Sequence, residues 1–339
     1  MIYFSLATLA HVFLLALAAI FGGGFIAFAL LYITLFTAAL DRFVPHVLPQ
    51  LPEGAEFPTG ARLSVLMGLI HFGLLGLAVA TISQEAQTAL GQLGLFFAFA
   101  LFFGQVSHPN AHELIHRSAR GPRRLGRAVY ASLLMGHHAS AHVLLHHVYV
   151  ASRDDPSSAP KGTGFYRFFL MAWARGFFEG YRRESARLKQ AAKPPYAHPY
   201  LTDALIGLGM IVSSALLAGL AGVITYIALA LYAQIQIVLA DYVQHYGLRR
   251  KRLNDGKLEP VSSAHSWNSP HWFSAALMFN APRHSDHHMH PQRPYPLLQL
   301  TPSKMPMLPH SLPVMAVIAL YPPLYRKVMA RALARLQPG

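Results

Sequence analysis

Apolar and polar positions divide the chain into six apolar runs and two long polar segments. The runs are Tyr3–Phe21, Phe25–Leu40, Leu63–Ile82, Leu90–Val106, Ala204–Leu220 and Val223–Ala240. Each approaches the ~20 residues that a helix needs to cross a bilayer. Gly22–Gly24, Ser83–Thr88 and Ala221–Gly222 join them into hairpins. The first run lacks a basic start and leads straight into a glycine turn and a second span, unlike a secretory signal. Phe165–Phe178 is apolar and aromatic but short, and it carries Arg167 and Arg175, which predicts an interfacial helix. Leu312–Leu324 is similar, and its Pro313, Pro322 and Pro323 argue against a span. The expected fold is all-α: one polytopic membrane domain over residues 1–339, with about six transmembrane helices. Residues 107–203 and 241–339 would form a helical cap on one side.

Charge orients this arrangement. None of the three turns contains Lys or Arg, and all such residues fall on the opposite side, including Arg117–Arg127, Arg182–Lys193, Arg249–Arg252 and Arg326–Arg335. Basic residues collect on the cytoplasmic side of membrane proteins, so both termini and the cap are expected in the cytoplasm. Composition agrees: 12% of the 339 residues are charged, against about 25% in soluble domains. The same asymmetry accounts for the net charge of +14. No stripe of basic and aromatic residues stands apart from the membrane ends, which argues against nucleic acid as a partner. Cysteine is absent, which excludes disulfides, thiolate zinc sites and iron–sulfur clusters in this chain. Any electrons the chemistry needs must come from another protein.

The candidate chemistry lies in histidines at the cap. His112 and His116 occur in HELIH, and His142, His146 and His147 in HVLLHH. His245 stands alone in QHYG, and His284, His287 and His288 occur in HSDHH. Imidazole is the commonest protein metal ligand. One metal rarely takes more than six ligands, so nine histidines point to two metals held close together. Residues i and i+4 share a helix face, so His112 and His116 form a clamp if the fourth span continues as a helix. His142 and His146 repeat that spacing. His146 and His147 diverge by about 100° on a helix and could serve different metals. His284, His287 and His288 again put two rings on one face. His137 and His138 are reserve candidates, His138 lying four residues before His142, and His290 reads as solvated or supporting. His11, His46, His71, His198 and His310 read as structural, and His108 and His271 have no grouping of their own. Glu113, Asp155, Asp241 and Asp286 are the carboxylates placed to hydrogen-bond the far nitrogen of a ligand or to offset metal charge. All-nitrogen ligation suits iron, zinc, copper or nickel, and spacing alone does not choose among them.

The flanking strings are more specific. Asn110-Ala-His-Glu-Leu-Ile-His116, His142-Val-Leu-Leu-His-His147 followed by Asp154-Asp-Pro156, Tyr242-Val-Gln-His-Tyr-Gly247 and Arg283-His-Ser-Asp-His-His288 together resemble the membrane-bound alkane 1-monooxygenases. These belong to the wider fatty acid hydroxylase and desaturase superfamily. The resemblance runs from about the second span to Met307. It implies six spans, a non-haem diiron centre held by all nine histidines, O2 as co-substrate and terminal hydroxylation of a hydrocarbon. No side chain is then required as a general base. It further implies electrons from an external rubredoxin and its reductase or a ferredoxin-type donor, membrane lipids as surroundings, and a bacterial inner membrane as location. Asp241 and Gln244 depart from the family's Asn-Tyr-x-Glu-His-Tyr-Gly, and the chain is shorter than typical members. Substrate choice therefore stays open to methyl hydroxylation of alkylaromatics and to fatty acyl or lipid hydroxylation. A desaturase would use similar histidine boxes. The zincin string HExxH also matches at His112, but it would leave the other grouped histidines unexplained. A metal transporter would need ligands near the membrane midplane, where only His11 and His71 lie.

Overall fold

The computed structural model describes residues 1–44, 58–84 and 88–336. These residues are helical or irregular, with two isolated β-bridges and no named strand. His46 and residues 85–87 of the predicted second turn lie outside them. In chain order, α1 is Ile2–Phe21, α2 Gly23–Phe43, α3 Pro58–Ile82 and α4 Ala89–Ile115. Next come α5 (Arg120–Ser132), α6 (residues 137–149), α7 (Phe165–Gln190) and α8 (Pro199–His245). Four short cap helices follow: α9 (Trp272–Leu277), α10 (His284–Met289), α11 (Leu312–Ala319) and α12 (Pro322–Leu336).

Among the described residues, helices α1–α4 and α8 are the five long and apolar enough to cross a membrane, and α8 is not one straight rod. Its backbone leaves helical geometry at Ala218 and Gly219. A Cβ placed on Gly222 would lie 2.3 Å from the carbonyl oxygen of Ser214, eight residues earlier, so the chain has folded back on itself. The turn thus falls at Ala218–Gly219, just before the predicted Ala221–Gly222. Gly219 supplies the positive φ, and Gly222 lets the returning arm approach. Gly219 (φ 57, ψ −144) and Gly22 between α1 and α2 (φ 60, ψ −148) adopt the same conformation, one that side chains resist. The α8 hairpin therefore turns on Gly219, and the first on the adjacent pair Gly22 and Gly23, both at positive φ.

Polar atoms inside the bundle are tied across helices. His71 on α3 bonds Ser107 Oγ at 3.0 Å and Ser132 Oγ at 2.8 Å. Gln234 Nε2 donates to the Leu133 carbonyl at 2.9 Å, and Tyr226 Oη donates to that of Ser132 at 2.9 Å. Such pairing is what an apolar surrounding demands. The outer faces keep large apolar side chains exposed, among them Phe13, Leu69, Leu205, Leu216 and Ile224. An apolar exterior of this extent is that of a surface covered by lipid.

The fourth predicted run ends at Val106, but α4 continues to Ile115. A π turn over Phe103–Ser107 lies inside it. Pro109, which would break a helix interior, falls in the first turn of the helical segment that follows. The cap then gathers around the polar ends of the bundle. Asp41 at the end of α2 accepts the first amides of α9, Phe273 N at 3.0 Å and Ser274 N at 3.1 Å. Phe4 packs edge-on against Tyr295. A second core of Tyr130, Phe168, Tyr242, Tyr246, Trp267 and Tyr325 joins α5, α7 and the end of α8 to α12.

Gly219→Val should lower stability by about 1–3 kcal/mol, the cost of forcing a side chain into this backbone region. Gly209→Ala, at an α8 position where an added methyl meets open space, should be neutral or slightly stabilising. Thermal unfolding in detergent checks both. Equal melting temperatures for wild type and Gly219→Val would contradict the hairpin.

Candidate metal centre

Four helices deliver the nine grouped histidines to one place. His112 lies near the end of α4, and His116 caps it. His142, His146 and His147 lie on α6, His245 is the last residue of α8, and the others lie on α10. The rings form two adjacent groups. One comprises His112, His116, His142, His147 and His287; the other comprises His146, His245, His284 and His288. Within each group the candidate ligand atoms lie within 4.8 Å of one another. The groups abut where the His147 and His288 rings are 4.5 Å apart.

Helix α6 divides its histidines in a way that helical spacing alone does not anticipate. Residues 142–146 form a π turn, and the amide of His147 bonds the carbonyl of His142. An α-helix would place residues i and i+5 about 140° apart; the wider turn brings them onto one side. His142 therefore pairs with His147, and His146 turns to the second group. On α10 the ordinary rule holds. His284 and His288 share a face, and His287 points to the first group.

The contacts between rings run from Nε2 to Nε2. In the first group His142 lies 2.8 Å from His112 and 2.9 Å from His147, which is 3.1 Å from His287. In the second, His284 lies 2.9 Å from His245 and 3.1 Å from His288, which is 3.2 Å from His146. A ring nitrogen carries either one proton or one lone pair, so hydrogen bonding cannot satisfy such a chain of contacts. A shared cation can. With metal–nitrogen bonds of about 2.0–2.1 Å, neighbouring ligand nitrogens around one ion sit roughly 3 Å apart. The residues present thus fit a metal in each group.

Burial and mutual repulsion keep the rings neutral. Both push His142, His147, His284, His287 and His288 well below the usual histidine range, and His116 to about 3. His146 differs. Burial lowers its affinity for a proton, but the Asp155 carboxylate more than offsets this, and the net shift is upward. Asp155 Oδ2 accepts from His146 Nδ1 at 2.9 Å and from Ser158 Oγ at 2.6 Å. This leaves Nε2 of His146 free to face the group. The carbonyls of His265 and Ala281 lie near His245 and His284, whose Nδ1 atoms have no hydrogen-bond partner among the described residues.

The other carboxylates divide. Asp241 lies beside Ser157 and within electrostatic reach of His146. Glu113 and Asp286 do not support a grouped histidine, contrary to the reading from spacing. Glu113 pairs with Arg117 and accepts the Tyr295 amide at 3.2 Å. Asp286 holds Arg293 at 2.8 Å, the Gln299 amide at 2.9 Å and His290 at 3.1 Å. Glu113 thus ties the loop after α10 to the end of α4, and Asp286 ties the same loop back to α10.

The reserve histidines stay outside both groups. His137 packs edge-on against Trp173 and Phe177. His138 lies among Tyr130, His108 and His142, and its Nε2 has no hydrogen-bond partner. His108 Nδ1 bonds the Tyr130 hydroxyl at 2.9 Å. The histidines inside the bundle form no site: His71 is held by two serines, and His11 stacks on Tyr32.

A family model described as fatty acid desaturase matches residues 88–316, a stretch that contains all nine grouped histidines. The chain belongs to the fatty acid desaturase family. Its relatives include proteins named alkane 1-monooxygenase. One, from Ectopseudomonas oleovorans, is 31% identical over 84% of this chain and 70% of its own length. Alkane 1-monooxygenase 1 of Pseudomonas aeruginosa is 33% identical over 71% of this chain and 63% of its own. The chain thus spans a little under two thirds of the length of that relative. The xylene/toluene monooxygenase hydroxylase component of Pseudomonas putida is 26% identical over 84% of this chain and 75% of its own.

Asp155→Asn should lower metal affinity in the second group by about 10–100-fold, the usual effect of losing such a support. Asp286→Ala should leave affinity per folded molecule unchanged and act on stability. Metal titration of the purified variants separates the two. The sign of the pH dependence follows from His146. Its raised pKa makes it the first grouped ring to take a proton as pH falls, and a protonated ring cannot ligate. The second group should therefore release metal at higher pH than the first, and simultaneous release would contradict this assignment.

Proposed function

We propose that the chain is a non-haem diiron membrane monooxygenase that hydroxylates the terminal methyl of an alkane or alkyl chain to a primary alcohol. The observation that carries this reading is the pair of buried, all-imidazole groups at the polar ends of apolar helices. It is supported by relatives named alkane 1-monooxygenase. In this reading His112, His116, His142, His147 and His287 hold one iron, and His146, His245, His284 and His288 hold the other. Bound there, the two irons would supply the activation of O2 needed to break a C–H bond.

The protein's own contribution is positioning and exclusion. Helix α4 carries buried Leu95, Phe99, Phe102 and Val106 on its way to His112. Helix α4 thus reaches the groups through a packed apolar core that keeps water from that side of them. Neutral ligands keep their coordination as the metal charge changes, which suits a redox centre. The chain has no cysteine, so electrons come from an external protein, with rubredoxin and its reductase as the donor pair. The cap and both termini face the cytoplasm, where the basic residues lie, and the membrane is a bacterial inner membrane.

Aerobic turnover with rubredoxin and reductase, on a panel of an alkane, an alkylaromatic and a fatty acyl substrate, tests the reaction. A primary alcohol from the alkane is expected. An alcohol from the methylarene alone would favour a role like that of the xylene/toluene relative, and an alkene would identify a desaturase. His245→Ala and His287→Ala, one from each group, should lose iron and turnover together. Retention of both iron and turnover would overturn the ligand assignment.

A further inference from the structure

Two cavities outside the histidine groups adjoin along the start of α8. The first, of about 980 Å³, lies between α5, α6 and α7 and is lined by Arg120, Arg123, Arg124, Arg127, Arg187 and Lys193. The second, of about 660 Å³, is mostly apolar, with Leu134, Phe177, Phe178, Leu208 and Ile211 in its walls. Between them Arg127 pairs with Asp203 through two bonds, of 2.7 and 2.6 Å. Glu184 pairs with Arg187 at 2.7 Å and lies 3.9 Å from Arg127. These two carboxylates neutralise two of the six cations. Arg120, Arg123, Arg124 and Lys193 remain as surplus positive charge in a concave wall.

We propose that the paired cavities bind one anionic phospholipid, with its phosphate among the surplus cations of the first and an acyl chain in the second. Arginine pairs matched to phosphate oxygens give strong charge-assisted bonds, and a basic pocket at the end of a span is the setting in which anionic headgroups bind. The apolar cavity extends along the first turns of α8, whose neighbouring Leu205, Leu208 and Val212 are exposed on the lipid side. An acidic protein would meet the cations but leave this groove unfilled. None of the nine grouped histidines lines either cavity, so the occupant is held away from the metals and is a bound lipid, not a substrate. Ala139, Ser140, Val143 and Leu144 of α6 form part of the first cavity's wall.

Native mass spectrometry of the detergent-purified protein, with phosphatidylglycerol or phosphatidylcholine added, reads this directly. Phosphatidylglycerol should be retained about tenfold more strongly. Arg120→Gln combined with Arg124→Gln should abolish the preference, and Leu208→Trp should weaken retention of phosphatidylglycerol by filling the groove. Metal content should stay unchanged in all three preparations, which separates this proposal from the diiron reading. Equal retention of the two lipids would overturn it. So would displacement of phosphatidylglycerol by soluble glycerol phosphate, which would indicate a site for phosphate alone. A double variant that keeps its lipid preference but no longer binds an acidic electron-donor protein would make the cleft a protein-docking surface instead.

Discussion

Imidazole nitrogens from four helices aim at two neighbouring points, and the rest of the molecule depends on that convergence. Without a cation, each crowded, buried nitrogen is a polar atom facing others of its own kind, at a cost of about 1–3 kcal/mol apiece. Metal binding turns the same crowding into cross-links. An ion in the first group would join α4, α6 and α10, and one in the second would join α6, α8 and α10. Helices α6 and α10 contribute to both groups, so the cap would be fastened to two helices of the bundle through the metals themselves.

Other polar residues of the cap make this convergence possible. Asp41 starts α9, Glu113 draws the loop after α10 onto the end of α4, and Asp286 ties that loop to α10. Asp155 is the carboxylate that acts on a grouped ring by a direct hydrogen bond. Two acids that flank grouped histidines in sequence therefore hold backbone, and one eight residues beyond His147 holds a ring. In the bundle, the two glycine hairpins and the His71–serine and Gln234–carbonyl bonds fix how the helix ends present themselves. The apolar exterior and the polar, metal-competent end together set the two histidine groups where the apolar helices meet the cap.

Much of this was legible in the sequence because hydropathy and histidine spacing are strong signals. The apolar runs, the glycine turn at Gly22 and the nine grouped histidines follow from pattern alone. Other features did not, for identifiable reasons. The π turn at 142–146 inserts an extra residue into a helical turn and pairs His142 with His147, whereas the rule of four pairs His142 with His146. The reversal at Gly219 was displaced by a few residues because Gly222 looks equally able to turn a chain. The roles of Glu113 and Asp286 depend on where a loop far away in sequence folds back, and local spacing does not record that. His138 has the right spacing to His142, but His137 and His138 face the aromatic packing of α7 and α5.

The central claim is that two ions sit in two separate all-nitrogen groups. Elemental analysis of the protein loaded with iron, combined with X-ray absorption at the iron edge, tests it most directly. The account predicts about two irons per chain, with a nearest shell of nitrogen or oxygen at roughly 2.1 Å and the outer-shell scattering of several imidazole rings. One iron per chain, or a nearest shell without imidazole scattering, would contradict it.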